Sequence, residues 1–184
     1  MAMTRPSVRK TRPPLDANRL DELALTYVGR FATSRAKLAS YLRRKLRERG
    51  WAGDKPPDVE GLVERLSGLG YVNDQAYALA KARSLAGRGY GERRVGQALS
   101  AAGIGEEDAA EAKDYASAEA VESAVRFARR RRFGPFGDTV DIDPRLRERH
   151  LAAMVRAGHS FRLAKSILQM EPGSDPDWGS LTKS

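Results

Sequence analysis

The pattern that most restricts the fold is a helix stop that recurs as an apolar residue, three others, a glycine, and then a ring or large apolar residue. It stands at Leu46/Gly50/Trp51, Leu66/Gly70/Tyr71, Leu85/Gly89/Tyr90, Leu99/Gly103/Ile104 and Met154/Gly158/His159. Glycine just past a helix adopts the left-handed backbone that satisfies the last carbonyls, and the residue after it packs back on the apolar residue of the final turn. One copy alone is ordinary helix punctuation. Recurrence says more: intervals of 20, 19 and 14 residues between the first four glycines describe short helices joined by tight turns, as in a duplicated helical unit stacked on its neighbours.

The apolar spacing between stops is helical, with no strand-like alternation. Leu20, Leu23, Tyr27, Val28 and Phe31 mark a first helix; Leu38, Tyr41, Leu42 and Leu46 a second, capped by Ser34; Val59, Leu62, Val63 and Leu66 a third, capped by Asp58. Asn73 is placed to cap a fourth helix carrying Tyr77, Ala80 and Ser84, with Val72 stapling against Tyr77. Val95, Ala98, Leu99 and Ala102 stripe a fifth, Glu106, Glu107 and Asp108 open a sixth with acids in its first turn, and Val121, Ala124, Val125 and Ala128 stripe a seventh. Two more fit 145–157 and 161–170, giving an all-α chain of nine helices in three sets of three. The expected boundaries are a basic, proline-containing disordered tail at 1–14, repeats at 15–72, 73–117 and 118–170, and a flexible tail at 171–184.

Charge narrows the function classes. Thirty-three Lys and Arg against twenty-four Asp and Glu give +9 over 184 residues; Arg5, Arg9, Lys10 and Arg12 lie in the first fourteen, and setting those four aside leaves +5. Such a field attracts polyanions and acidic surfaces. With no cysteine, disulfides and thiolate metal sites are excluded, in keeping with a reducing cytoplasm. No segment reads as a membrane span or signal peptide. There is no phosphate-binding Gly-rich Lys-Ser/Thr loop and no spacing that groups His, Asp and Ser. His150 and His159 lack a carboxylate partner at metal-ligand spacing, so both read as structural, and the chain reads as no enzyme, with no cofactor or metal.

The run Leu62-Val63-Glu64-Arg65-Leu66-Ser67-Gly68-Leu69-Gly70-Tyr71-Val72-Asn73-Asp74-Gln75-Ala76-Tyr77-Ala78 resembles the signature of the RecX family. Its marks are a helix ending in Leu-x-x-x-Gly-Tyr, an Asn-Asp pair and an aromatic-Ala step, carried by Leu66, Gly70, Tyr71, Asn73 and Asp74. Ser34 to Leu38 through Leu46 and Gly50 upstream, and Arg88-Gly89-Tyr90-Gly91 through Val95, Leu99, Gly103 and Ile104 downstream, fit the same family in order. With 127–136 and 151–168 the likeness spans nearly everything from 15 to 170. It implies three tandem three-helix repeats in an elongated, curved array that binds the RecA recombinase filament on single-stranded DNA. It further implies that the protein, a cytoplasmic monomer, restrains extension, ATP hydrolysis and strand exchange, and so modulates recombinational repair and the SOS response. Two departures stand out: Lys37 where the family commonly has an acid, and His159 in place of the ring residue of the stop.

A partner of that kind demands a surface complementary to carboxylates and phosphates, which the planar fork of arginine bonds in pairs. Three clusters qualify. Arg43, Arg44, Lys45, Arg47 and Arg49 lie on the second helix. Arg88, Arg93 and Arg94 flank the turn of Gly89, Tyr90 and Gly91, whose helix-start amides are candidate anion donors. Arg126, Arg129, Arg130, Arg131 and Arg132 are interleaved with Phe127, Phe133 and Phe136. Four successive arginines cannot share one helix face, so the third cluster is the foremost contact candidate. For each cluster the plain alternative is a solvated face. Phe133 and Phe136 are either core plugs between repeats or stacking platforms for unpaired bases; the charge and the helix-turn-helix-like spacing at Gly50 and Gly103 support a second function class, a helical-repeat protein acting directly on single- or double-stranded DNA. Tyr71, Tyr90 and Trp51 are assigned to packing, and the segment 133–144 is expected as a loop.

Overall fold

The computed structural model describes residues 12–138 and 143–174, together with Trp178 and Leu181. The expected tail is therefore seen only from Arg12. The described residues form nine α-helices and one 3₁₀ turn, with no β pairing beyond a single bridge between Leu15 and Trp51. None of these helices is long and apolar enough to cross a membrane. The chain divides into two compact units, Met1–Asn73 and Asp74–Ser184.

The first unit holds α1 (Ala17–Val28), α2 (Arg35–Arg49) and α3 (Val59–Gly68). Each starts on a side-chain cap, the expected ones at Ser34 and Asp58 and a further one at Asp16: Asp16 accepts from Arg19 N at 2.9 Å, Ser34 from Lys37 N at 3.2 Å and Asp58 from Gly61 N at 2.8 Å, each replacing an amide partner the first turn lacks. The predicted stripes converge on one core built from Leu20, Ala24, Leu38, Leu42, Leu62, Val63 and Leu66, closed by Leu15 and Val72. Phe31 falls beyond α1 and is exposed. Pro13 O accepts from Arg49 Nε at 2.9 Å and Pro14 O from Arg19 at 3.1 Å, so the last residues of the expected tail are tied to this unit.

The second unit holds α4 (Asp74–Gly87), α5 (Glu92–Ala101), α6 (Glu106–Ala118), α7 (Ala120–Arg131), α8 (Pro144–Arg156) and α9 (Phe161–Leu168). Here α4 packs mainly on α6, α8 on α9, and α7 touches both groups. The α4/α6 contact is made of small residues, Ala78 and Ala82 against Ala109, Ala112 and Ala116, which let two backbones come close. The expected stripe on α4 is displaced: Ala80 and Ser84 are exposed, and Ala78, Ala82 and Leu85 are buried. An alanine-rich helix carries two stripes of nearly equal hydropathy, and the fit to α6 selects between them.

The helix stops differ in one instructive way. Gly70, Gly89, Gly103 and Gly158 have φ between 69° and 98°, and the amide after each bonds the carbonyl five residues back: Tyr71 to Leu66, Tyr90 to Leu85, Ile104 to Leu99 and His159 to Met154. These are Schellman stops. Gly50 departs, with ψ of 173° and only its own amide bonded to Leu46 O. The chain leaves extended there, because Leu15 N bonds Gly50 O and Ala52 N bonds Leu15 O. The fifth true Schellman stop lies elsewhere, at Ala128/Arg132/Phe133: Arg132 has φ 56° and ψ 48°, and Phe133 N bonds Ala128 O at 2.9 Å. Arg132 is the one non-glycine residue with positive φ among the described residues.

Downstream of this stop the expected loop is partly ordered packing. Gly134–Phe136 forms the 3₁₀ turn, Phe133 and Pro135 are buried, and Phe133 stacks on His150 at 3.9 Å. Residues 139–142 lie outside the described residues. Beyond α9, Gly173 N donates to Pro135 O at 2.9 Å, Trp178 stacks on Phe136 and Leu181 joins the same core. Part of the segment expected as a flexible tail thus closes the third helix set.

Candidate interaction surface

The turn between α4 and α5 sits at the centre of the second unit and organises its charge. Gly91 N bonds Ala157 O at 2.9 Å and Arg93 N bonds Gly158 O at 3.2 Å, so the carbonyl end of α8 meets the amide end of α5, dipole against dipole. The approach needs glycine: a Cβ on Gly91 would lie 2.4 Å from Gly158 O, and one on Gly89 2.9 Å from Phe127 N. His159 completes the lock. It is buried, edge-on to Phe127 at 5.6 Å, with Nε2 3.1 Å from Gly89 O. That carbonyl only accepts, so Nε2 carries the hydrogen, and the buried Nδ1 has no partner among the described residues. Burial pushes the imidazole below its ordinary range, the bond to Gly89 opposing.

This geometry narrows what the turn of the second cluster can offer an anion, since the Gly91 and Arg93 amides already serve carbonyls at the end of α8. What the turn offers is side chains. Arg88 lies over the Tyr90 ring at 5.6 Å with its Nε on Ser84 O at 3.3 Å, and Arg93 and Arg94 are exposed.

Three of the five cations in the first cluster are paired within the first unit, sharing two carboxylates. Arg43 pairs with Glu60, Arg44 with Glu48 at 3.6 Å and Lys45 with Glu48 at 2.5 Å, while Arg44 and Lys45 both lie by the Tyr41 ring. The hydrogen bond from Lys45 holds the Glu48 carboxyl below the usual carboxylate range. Among the described residues Arg47 has no acidic partner, and Arg49 is spent on Pro13 O.

The third cluster is sorted by tertiary structure. Arg126 reaches Ala86 O at 3.4 Å and pairs with Glu119 and Glu122; Arg130 donates to Arg88 O at 2.5 Å. These two, one turn apart on α7, take up carbonyls at the end of α4. Arg132 forms the helix stop and pairs with Asp138 at 3.7 Å. Arg129 rests over Phe136 at 5.0 Å and Arg131 over Phe127 at 5.8 Å, neither with an acidic partner among the described residues. The phenylalanines resolve as core: Phe127 and Phe133 are buried and Phe136 is half-buried against Trp178.

Beside the turn, α4 and α5 enclose a cleft of about 370 Å³ lined by Lys81, Arg88, Tyr90, Arg94 and Gln97 with apolar Leu85, Ala98 and Ala101. Three cations and no carboxylate line it. Arg88 and Arg94 are expected members; Lys81 and Gln97 are missed by a reading that looks for runs of arginine, because they are isolated in sequence and joined only by packing. Of the signature residues, Leu66 and Asp74 are buried, Asn73 is exposed, Gly70 and Gly103 form stops, and Tyr71 is 57% exposed. Tyr71 is therefore not the packing residue its stop implied. The described residues contain no group of three side chains placed to hold a metal.

Comparison with known proteins places these features. A family model described as "RecX, second three-helix domain" matches residues 73–112, from α4 into α6. The chain is 34% identical over 179 residues to "Regulatory protein RecX" of Myxococcus xanthus, covering 91% of this chain and 96% of that one. It is 30% identical over 138 residues to the Agrobacterium fabrum protein of the same name, covering 73% of each. The fold matches a crystal structure of RecX from Lactobacillus salivarius with a TM-score of 0.59 at 19% identity, over 83% of this chain and 94% of that one. A second RecX crystal structure matches with a TM-score of 0.60 at 20% identity, over 82% and 70%.

Proposed function

The chain belongs to the RecX family of regulatory proteins, and from that premise we propose that it binds the RecA recombinase filament on single-stranded DNA and inhibits its extension, ATP hydrolysis and strand exchange. The observation that carries the reading is the whole-length likeness to a protein named as a regulator. The surface agrees with it: Arg88, Arg94, Arg129, Arg130 and Arg131 on the second unit carry charge that no carboxylate among the described residues cancels. In this reading the protein acts in the cytoplasm by binding, without catalysis or cofactor, and charge complementarity speeds its encounter with an acidic partner.

For the alternative of a protein acting directly on nucleic acid, one line of support falls away: Phe133 and Phe136, the rings expected to stack on bases, are committed to the core of the third helix set. The deciding experiment titrates the protein into a reaction measuring single-stranded-DNA-dependent ATP hydrolysis by the cognate recombinase. Suppression near stoichiometric protein is expected; unchanged hydrolysis together with no filament binding overturns the proposal.

A further inference from the structure

The cleft between α4 and α5 holds three cations against apolar surface with no carboxylate to neutralise them. From this juxtaposition we propose that it is a docking site for an acidic segment of a partner protein, in which an apolar side chain enters against Leu85 and Ala98 while neighbouring carboxylates bond Lys81, Arg88 and Arg94. The proposal rests on the function above for who the partner is, and on the geometry alone for the chemistry the partner presents.

Charge complementarity argues for the occupant. Other cations of the unit are paired within it: Arg126 with Glu119 and Glu122, Arg132 with Asp138 and Lys113 with Glu106. The cleft cations have none among the residues lining it. Arg88 is also held in place, over Tyr90 and by Ser84 O, so less side-chain freedom is lost when it bonds a carboxylate. Arg130 donates to the backbone of Arg88, and a carbonyl takes its hydrogen without cancelling its charge, so the positive field continues from the cleft onto α7.

The surface favours a protein segment over a nucleic acid strand. A strand-binding groove sets exposed rings along a cationic track. Here one ring lines the cleft, Tyr90, which is half-buried, packed against both cores of the unit and already faced by Arg88. No second ring is present, while Leu85, Ala98 and Ala101 supply a footing for an aliphatic side chain.

Gln97→Glu tests this without removing any contact. A carboxylate of the same shape among three cations is expected to preserve or raise the thermal midpoint, while competing with an acidic ligand. The probes are a fluorescein-labelled Asp-Leu-Asp-Asp-Leu-Glu peptide and a fluorescein-labelled oligothymidylate, read by anisotropy on the full chain. The expected result is saturable peptide binding weakened about tenfold by Gln97→Glu, equivalent to about 1.4 kcal/mol, and weakened further by Arg94→Glu. The reversal Arg162→Glu with Lys165→Glu on α9 is expected to leave it within about twofold, the scale of a screened charge at a distance. No peptide binding to the unmodified protein, equal binding to Gln97→Glu, equal loss in the α9 control, or loss of oligothymidylate binding alone each overturns the docking site. Recombinase inhibition separates the two claims: an unmodified protein that inhibits, beside a Gln97→Glu variant that inhibits equally, defeats the cleft and leaves the function. An unmodified protein that fails to inhibit defeats the function, and the peptide measurement still decides the cleft.

Discussion

Two arginine-rich helices, α2 and α7, look alike in sequence and differ in what their charges meet. On α2, Arg43, Arg44 and Lys45 lie against Glu60 and Glu48, while Arg47 meets no acid among the described residues and Arg49 meets the Pro13 carbonyl. On α7, Arg130 meets a backbone carbonyl and Arg129 and Arg131 meet aromatic faces. Carboxylates cancel charge; carbonyls and rings orient a guanidinium and leave its charge in place. Density of arginine in a sequence is therefore a poor guide to available charge, and the type of acceptor decides which of two similar runs projects a field.

The α7 arrangement depends on the lock between the α4–α5 turn and the end of α8, so the largest effect comes from breaking that lock. Gly91→Ala puts a Cβ 2.4 Å from Gly158 O and 2.6 Å from His159 N, all backbone with no flexible atom to yield. Urea unfolding is expected to show a loss of about 3 kcal/mol, at the top of the usual range for overpacking. Next comes the contrast between runs: Arg130→Ala strands Arg88 O and should cost about 1 kcal/mol, whereas Arg44→Ala, from a surface pair 3.6 Å apart, should cost under about 0.5 kcal/mol. Equal costs would erase the distinction between the two helices.

Arg132→Gly works in the opposite direction. The left-handed backbone penalises a residue with a Cβ by about 1–2 kcal/mol, and glycine gives back about 0.5–1 kcal/mol of that through its unfolded-state freedom, so a gain of about 0.5–1 kcal/mol is expected in the same unfolding assay. The smallest effect is the pH response of the lock. His159 is held neutral in the fold, while in the unfolded chain it takes up a proton near its ordinary range. The unfolded state thus binds more protons below about pH 6.5, and stability falls as pH drops through that window. His159→Phe should flatten this part of the pH profile; an unchanged slope would show that His159 does not contribute to it.

Legibility followed the range of the physics. Ser34, Asp58 and the glycine stops act over three to five residues, so their caps and turns could be read directly from spacing. The fates of the arginines could not, because Arg126 and Arg130 are fixed by the carbonyls of Ala86 and Arg88, some forty positions earlier. The stop at Arg132 carries no glycine to mark it, although Ala128 and Phe133 stand at the spacing of the other stops. Gly50 carried the motif yet opened into an extended bridge, because the pull of Leu15 is nonlocal. The cleft was half legible, through Arg88 and Arg94, while Lys81 and Gln97 join it only when α4 packs beside α5.

The central claim is that the uncancelled arginines of α7, rather than the paired cations of α2, present charge to the filament proposed above as the partner. Recombinase ATP hydrolysis should be measured across titrations of two charge reversals, Arg129→Glu with Arg131→Glu on α7 and Arg43→Glu with Arg44→Glu, the two paired arginines, on α2. The account predicts that the α7 pair raises the concentration for half-inhibition about tenfold and the α2 pair less than about twofold, as for uncancelled against compensated charges. Equal losses, or a greater loss from α2, would contradict it.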